Sequence, residues 1–422
     1  MMRIAAPLCA ACLIAPFLIA PILIAPVLIA WGARAAEPIK IGMAAQLTGQ
    51  LAASGKANQL AEEIWVEDVM EKGGLLGRPV QLVHYDDQSN PGMVPGIYTK
   101  LIDVDKVDLL IGEGTNFLAP AMPVVMERQR VIMALLALAV NDKFHYERYF
   151  QSAPWGPHGK LELSRAYFEI AKTLSPTPQT VALVGADAEF SANLLEGARA
   201  NAKQNGLKLV YDGTYPPNTV DYSAIMRGIQ AAKPDLVYVA SYPVDTVGMV
   251  RAAREADLKT MMFGGGMVGT QYASTKIQLG ETLNGVVSYE FYVPEPTLGF
   301  PGIAQFLQKY QARAREAGVD QLGFYQPPFA YAAMQVIEQA VTATGSLDDA
   351  KLADYMHHAT FKTVVGDIRF DVQGEWVEPR VLGVQLQNIK GNGLEQFTRP
   401  GTQVVLYPPS YKSGALQAPY GK

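Results

Sequence analysis

The chain has 422 residues, 49% of them apolar and 18% charged, with a formal net charge of −5. That length allows two lobes with separate cores, and the composition excludes a disordered chain. The mild acidic excess excludes nucleic acid as a partner held by a basic surface.

Residues 1–35 differ in kind from the rest. Arg3 is the only charge before Arg34, and between them LIAPFLIAPILIAPVLIAW repeats apolar residues and proline. A basic start, an apolar stretch and Ala33-Arg34-Ala35 as a small-x-small site predict a secretory signal peptide cut just after Ala35. An uncleaved membrane anchor is the other reading, but Pro16, Pro21 and Pro26 interrupt the helix it would need. Cys9 and Cys12 both fall in this segment, so no disulfide or thiol chemistry is expected of the mature chain.

From there the chain alternates strands and helices. An apolar run at 39–43 reads as a buried strand, and Ala57, Leu60, Ala61, Ile64 and Trp65 recur at helical spacing. Gly73 and Gly74 stop that helix, the Gly77-Arg78-Pro79 turn follows, and 80–85 has strand length. Ser89 or Asn90, ahead of Pro91, caps the next helix. Strands are predicted at 109–112 and 131–139, with a helix over 119–129 between them.

YFQSAPWGP at 149–157 breaks the pattern, and a second series begins. Helices are expected at 160–174, 192–205, 222–232 and 244–256, alternating with strands at 181–184, 207–211, 236–240 and 261–264. A run at 285–293 ends in Pro294-Glu295-Pro296, and helices at 302–317, 324–344 and 348–358 follow without strands. Helices without strands need a sheet to pack on, which the first lobe offers. Extended segments at 366–370, 381–389 and 402–406 close the chain. The predicted fold class is therefore α/β, two doubly wound parallel-sheet lobes joined by three hinge crossovers. The first lobe comprises 36–153 plus 295–364, the second 154–294 plus 365–410, and 411–422 form a tail.

Several motifs carry competing meanings. Gly112-Glu113-Gly114-Thr115-Asn116-Phe117 lies between a strand and a helix, but Phe117 stands where a dinucleotide fingerprint needs its third glycine. It is a tight turn or, with Thr115 and Asn116 opening a helix, a seat for a carboxylate on free backbone amides. Gly264-Gly265-Gly266 is a flexible turn or a place where a ligand approaches the backbone. Asp86-Asp87 read as turn-capping carboxylates rather than a catalytic pair, and His84, His145, His158, His357 and His358 have no metal-gathering spacing, with His357-His358 expected at an exposed helix end. No cofactor or metal is expected.

Leu47-Thr48-Gly49, Gly73-Gly74-x-x-Gly77-Arg78-Pro79, Tyr85-Asp86-Asp87, Asp221-Tyr222-Ser223-Ala224-Ile225, Lys233-Pro234-Asp235 and Gly366-Asp367-Ile368-Arg369-Phe370-Asp371 together carry a resemblance. From residue 39 to about 406 the chain resembles the periplasmic solute-binding proteins of branched-chain-amino-acid-type ABC transporters, of type I periplasmic binding fold. The resemblance implies a ligand between the lobes, at loops on the carboxyl ends of the strands. It places Thr115 or Asn116 at the ligand carboxylate, Ala137 and Ala139 in the next strand loop, and Phe190 and Tyr242 as aromatics from the second lobe. Gln46 and Trp155 join the set.

One departure from the family bears on the ligand. Amino-acid binders of this family place an acid after the strand that here ends FGGGMVG, and this chain offers Gly266 and Met267. An unpaired buried ammonium costs several kcal/mol, so an α-amino acid fits poorly unless Glu113 or Asp187 takes over. With Leu138 and Phe291 also expected at the cleft, the predicted ligand is a hydrophobic or aromatic carboxylate.

The resemblance implies a monomeric periplasmic protein that hands its ligand to an inner-membrane ABC permease. A branched-chain amino-acid or amide binder, and a ligand-sensing module of a signalling system, are the alternatives. A secreted enzyme would need a partnered nucleophile or a metal site, and neither is visible.

Overall fold

The computed structural model describes residues 36–421. The signal peptide read at 1–35, with Cys9 and Cys12, lies outside them.

The first sheet is built from β1 (Ile39–Ala45), β2 (Val80–Asp86), β3 (Leu109–Glu113), β4 (Ile132–Leu135) and β5 (Tyr149–Gln151). Its order is β2-β1-β3-β4-β5 and every pairing is parallel. Helices α1 (Ala52–Glu71), α2 (Val94–Asp103), α3 (Thr115–Glu127) and the single turn α4 (Asn141–Phe144) make the connections. Trp65 on α1 is fully buried and its indole N–H donates to Glu338 at 3.0 Å, so the large apolar ring and its one polar atom are both satisfied. Gly73 and Gly74 follow α1 at φ 97° and 81°, a backbone that ends a helix and favours glycine. The Asn90 side chain accepts from Gly92 N ahead of α2, the expected cap beside Pro91.

The second sheet uses β6 (Thr180–Ala186), β7 (Lys208–Tyr215), β8 (Leu236–Ser241), β9 (Met262–Met267) and β10 (Val286–Glu290). Helices α5 (Gly159–Ala171), α6 (Glu189–Gln204), α7 (Ser223–Ala232), α8 (Pro243–Glu255) and α9 (Ala273–Leu279) accompany them. After β10 the chain returns to the first lobe, where α10 (Ile303–Ala317) and α11 (Pro327–Thr344) pack on α1 and α11 also meets β4. Helix α12 (Asp349–His358) leads into the hairpin β11 (Phe361–Thr363) and β12 (Gly366–Ile368). The chain then goes back to the second sheet as β13 (Leu382–Leu386) and β14 (Gln403–Tyr407), both antiparallel, giving the order β14-β13-β10-β9-β8-β6-β7. In each sheet the first strand in sequence sits between two later ones, β1 between β2 and β3 and β6 between β7 and β8. That reversal of order opens a crevice at the carboxyl ends of the strands.

Four local expectations change. The strand expected over 131–139 stops at Leu135, because Leu136 and Ala139 take φ of 51° and 56° and turn the chain out of the sheet. The break expected from residue 149 begins with a strand, β5, paired to β4. Strand β9 continues through the glycines to Met267. The tail is docked: Gln385 Nε2 donates to Gln417 O at 2.8 Å, and the buried Tyr420 ring lies 4.4 Å below the Arg254 guanidinium.

Candidate functional site

The loops at the carboxyl ends of the two sheets face each other across a cavity of about 600 Å³, its open mouth included. From the first lobe, Gln46, Glu113 and Leu136 reach it from strand ends, and Leu51, Ser54, Thr115, Asn116 and Phe117 from the starts of the helices that follow. From the second, Phe190, Tyr242, Pro243, Val268 and Tyr272 line it, and Trp155, Tyr325 and Gln326 close it beside the crossovers. None of these residues is a lysine or an arginine.

The first-lobe rim is held by the aspartates that end β2. Asp86 Oδ1 accepts from the main-chain N–H of Leu47, Thr48 and Gln88, and Asp86 Oδ2 from Thr48 Oγ1 at 2.6 Å. Those donors hold its carboxyl below the usual range despite some burial. Asp87, fully buried, accepts from Gln46 Nε2 and Ser89 N, both at 2.8 Å, and burial raises it. The pair clamps the loop after β1 to the loop after β2, the capping role read from the sequence.

Glu113 ends β3 and is 4% exposed. Its Oε1 accepts from Asn58 Nδ2 at 2.6 Å, while Oε2 has no partner. Burial chiefly, then the charges of Glu62 and Asp87, push it up to about 8 against the Asn58 bond. Glu62 is itself buried, its Oε2 3.0 Å from His84 Nε2 without a hydrogen bond between them. A carboxyl in this setting is neutral at pH 7 and holds a proton it can donate.

Helix α3 starts two residues on, after Gly114 at φ 71°. The main-chain N–H groups of Thr115 and Asn116 find no acceptor among the described residues, as the first turn of a helix leaves them. Thr115 Oγ1 accepts from Leu138 N at 2.9 Å and so pins the β4 loop. The Asn116 side chain bridges the lobes: Nδ2 donates to Tyr242 Oη at 2.9 Å and Oδ1 accepts from Phe190 N at 3.1 Å. Ser54 Oγ and Tyr272 Oη, 3.0 Å apart, make a second bridge, and Asn193 Nδ2 donates to Leu138 O at 3.3 Å. The lobes thus meet through polar contacts around the cavity. Phe190 and Tyr242 pack with centroids 6.0 Å apart, and Tyr272 and Tyr325 meet edge to face at 5.8 Å.

Gln46, Thr115, Asn116, Trp155, Phe190 and Tyr242, singled out from the sequence, all line the cavity; Ala137, Ala139, Gly266 and Met267 do not. Ala137 is buried behind the loop and its carbonyl accepts from Tyr149 Oη and Gln151 Nε2. Ala139, the second left-handed residue of the same turn, is half-buried and packed on the core. The glycines serve the sheet. A Cβ on Gly264, at φ 134°, would stand 1.9 Å from Val287 O, and one on Gly265, at φ 107°, 2.3 Å from the Tyr238 ring. Gly266 is closed in by Leu194 and Tyr238, and Met267 is fully buried in the core. Since β9 ends at Met267, the loop that reaches the cavity begins with Val268.

Of the two acids suggested as substitutes for the missing one, Glu113 lines the cavity and Asp187 is exposed outside it. Leu138 and Phe291 are fully buried behind the wall. His357 is half-buried rather than exposed, its ring nitrogens 2.9 and 2.7 Å from Asp371 O and Glu147 O. Sequence reasoning missed Ser54, Tyr272, Tyr325 and Gln326; Gln326 meets Ser54 from 272 positions along the chain, and only the fold supplies that proximity. No group of three or more His, Cys, Asp or Glu among the described residues could hold a metal ion, and no helix among them is long and apolar enough to cross a membrane.

Two α/β lobes linked by three passages of the chain, with a lined cavity between opposing strand ends, have the architecture of a small-molecule binding protein. The chain belongs to the periplasmic binding protein family, whose sequence profile matches residues 38–386. Among its relatives is the Leu/Ile/Val-binding protein homolog 7 of Brucella abortus, 24% identical over 373 residues covering 86% of this chain and 92% of that one. Its fold is similar to that of a leucine-binding protein from Thermotoga maritima, with a TM-score of 0.70 at 20% identity over 83% of this chain and 96% of that one. It is similar as well to an ABC-transporter solute-binding protein from R. palustris in complex with benzoate, with a TM-score of 0.72 at 18% identity over 90% and 98% of the two chains. The type I periplasmic binding fold expected from the sequence is the one observed.

Proposed function

We propose that this protein captures a small carboxylate with an apolar or aromatic body between its lobes, in the periplasm, and delivers it to an inner-membrane ABC permease. The observation that carries this reading is the cavity lining. Aromatic and aliphatic side chains form most of it, with no basic residue, so a ligand anion would be met by the free amides of Thr115 and Asn116 at the start of α3. Amides and the helix dipole there contribute up to about 2 kcal/mol, and each buried CH₂-sized part of the ligand body adds about 0.8 kcal/mol. Closure of the lobes follows from contacts that exist only when both touch the ligand. The protein works as a monomer after removal of its signal peptide, without metal or cofactor.

A second reading is favoured by the unpartnered Oε2 of Glu113 at the cavity. A branched-chain amino acid would set its ammonium there, beside a carboxylate on the same helix start, in line with the name of the Brucella abortus relative.

A thermal-shift screen on mature protein, unfolded and refolded to strip carried-over ligand, separates the two. A ligand at a hundred times its dissociation constant adds about 2.7 kcal/mol of stability. Benzoate and related acids should raise the melting temperature. Stabilisation by leucine or valine alone would overturn the first reading in favour of the second.

A further inference from the structure

Among the described residues lining the cavity, Glu113 is the one, tyrosines aside, that carries an ionisable group, and the charges acting on it are those of Glu62 and Asp87. From α1 come Asn58, which donates to Oε1, and the buried Glu62. Asp87 stands at the end of β2, and His84 of β2 lies 3.0 Å from Glu62. Tyr98 of α2 donates its hydroxyl to Ile111 O and is not free, and Tyr272 faces from the second lobe toward Ser54. No lysine or arginine faces the group from these elements. One carboxyl oxygen is thus supplied with a donor while the other is buried and unpartnered, and the free amides that open α3 line the same cavity.

We propose that Glu113 is the specificity-determining residue of the cavity, binding in its protonated form and donating a hydrogen bond from the carboxyl O–H to the carboxylate of the ligand. The inference rests on the carboxylate reading above. It completes the anion site without a cation: two main-chain N–H groups and one acid O–H converge on a ligand anion, and an O–H···O⁻ bond of this kind is short and strong. An ionised Glu113 would instead place two like charges together, so ligand binding raises its proton affinity further. Since the group is already held up to about 8, the proton is in place throughout the neutral range.

The sign of the pH dependence separates the two readings. For a carboxylate, affinity is flat from pH 6 to near 8 and then falls about tenfold per pH unit, because each binding event must take up a proton. For a zwitterion, whose ammonium needs ionised Glu113, affinity rises with pH through the same range.

The experiment is calorimetric titration with benzoate and with L-isoleucine between pH 6 and 9.5, in two buffers of different ionisation enthalpy, on wild type and Glu113→Gln. The expected result is benzoate binding that weakens above pH 8 with proton uptake. In Glu113→Gln, whose amide N–H remains a donor but does not titrate, benzoate binding should be several-fold weaker at pH 7 and free of the pH slope. Benzoate binding with no slope and no proton uptake in wild type would overturn the inference and leave the carboxylate reading intact. Isoleucine binding that strengthens with pH, and is lost in Glu113→Gln, would overturn both. So would failure of benzoate, 4-hydroxybenzoate and phenylacetate to bind wild type at any pH.

Discussion

Two buried glutamates end strands in different lobes, Glu113 on β3 and Glu290 on β10. Burial pushes each up to about 8, and each leaves Oε2 unpartnered. Their neighbours differ. Glu290 faces the Lys276 Nζ at 3.8 Å inside the second lobe, and that amine is itself lowered by burial and donates to Gln271 O. Glu113 faces Asn58 and two further acids and lines the cavity, which Glu290 does not. An acid buried with its counter-charge belongs to the architecture. One buried without a cation beside it, in the wall of an opening, is left to meet what enters.

The sharpest way to break this contrast is to remove the internal counter-charge. Lys276→Met leaves Glu290 buried alone and should destabilise the protein by about 2–3 kcal/mol in urea unfolding, while benzoate affinity holds. A midpoint equal to wild type would mean that the pair contributes nothing.

Next is Glu113→Gln without ligand. Because the folded value of about 8 lies above the ordinary 4.5, the stability linked to this group is complete below 4.5 and is lost as the pH rises through 8. The variant should therefore match wild type near pH 4.5 and be clearly more stable than it at pH 8. Paired urea titrations at the two pH values check the sign; a gain at low pH instead would show that the carboxyl is ionised in the folded protein.

A smaller effect is expected where the lobes touch. Asn116→Ala removes both bonds to Tyr242 and Phe190 and should weaken ligand binding by ~1–1.5 kcal/mol, about tenfold, seen in stopped-flow as faster dissociation with folding unchanged. Smallest of all, Phe190→Leu breaks the aromatic pair with Tyr242 and should weaken benzoate by ~0.5–1 kcal/mol. Equal losses for these two variants would argue that the interlobe bridge contributes no more than wall packing.

Much of this architecture is local and so could be read from residue order. The spacing of Leu60, Ile64 and Trp65, the glycines after α1, and Asn90 before Pro91 each act over a few residues, and each behaves as the pattern implied. The strand ends were less legible. Runs such as 131–139 and 261–264 are apolar or glycine-rich throughout, so nothing in their composition marks where pairing stops. Backbone turns at Leu136 and Ala139, and the close approach of Gly264 to Val287, decided it and moved Ala137, Gly266 and Met267 out of the cavity.

Residue order alone established two α/β lobes and the aromatic residues of the loops between them, because alternation of strands and helices and loop chemistry are properties of short segments. Folding settled which loop residues meet across the gap. Gln326 beside Ser54, Tyr242 beside Asn116, and Glu113 among acids with no cation arise from contacts between distant parts of the chain, whose proximity no short-range pattern encodes.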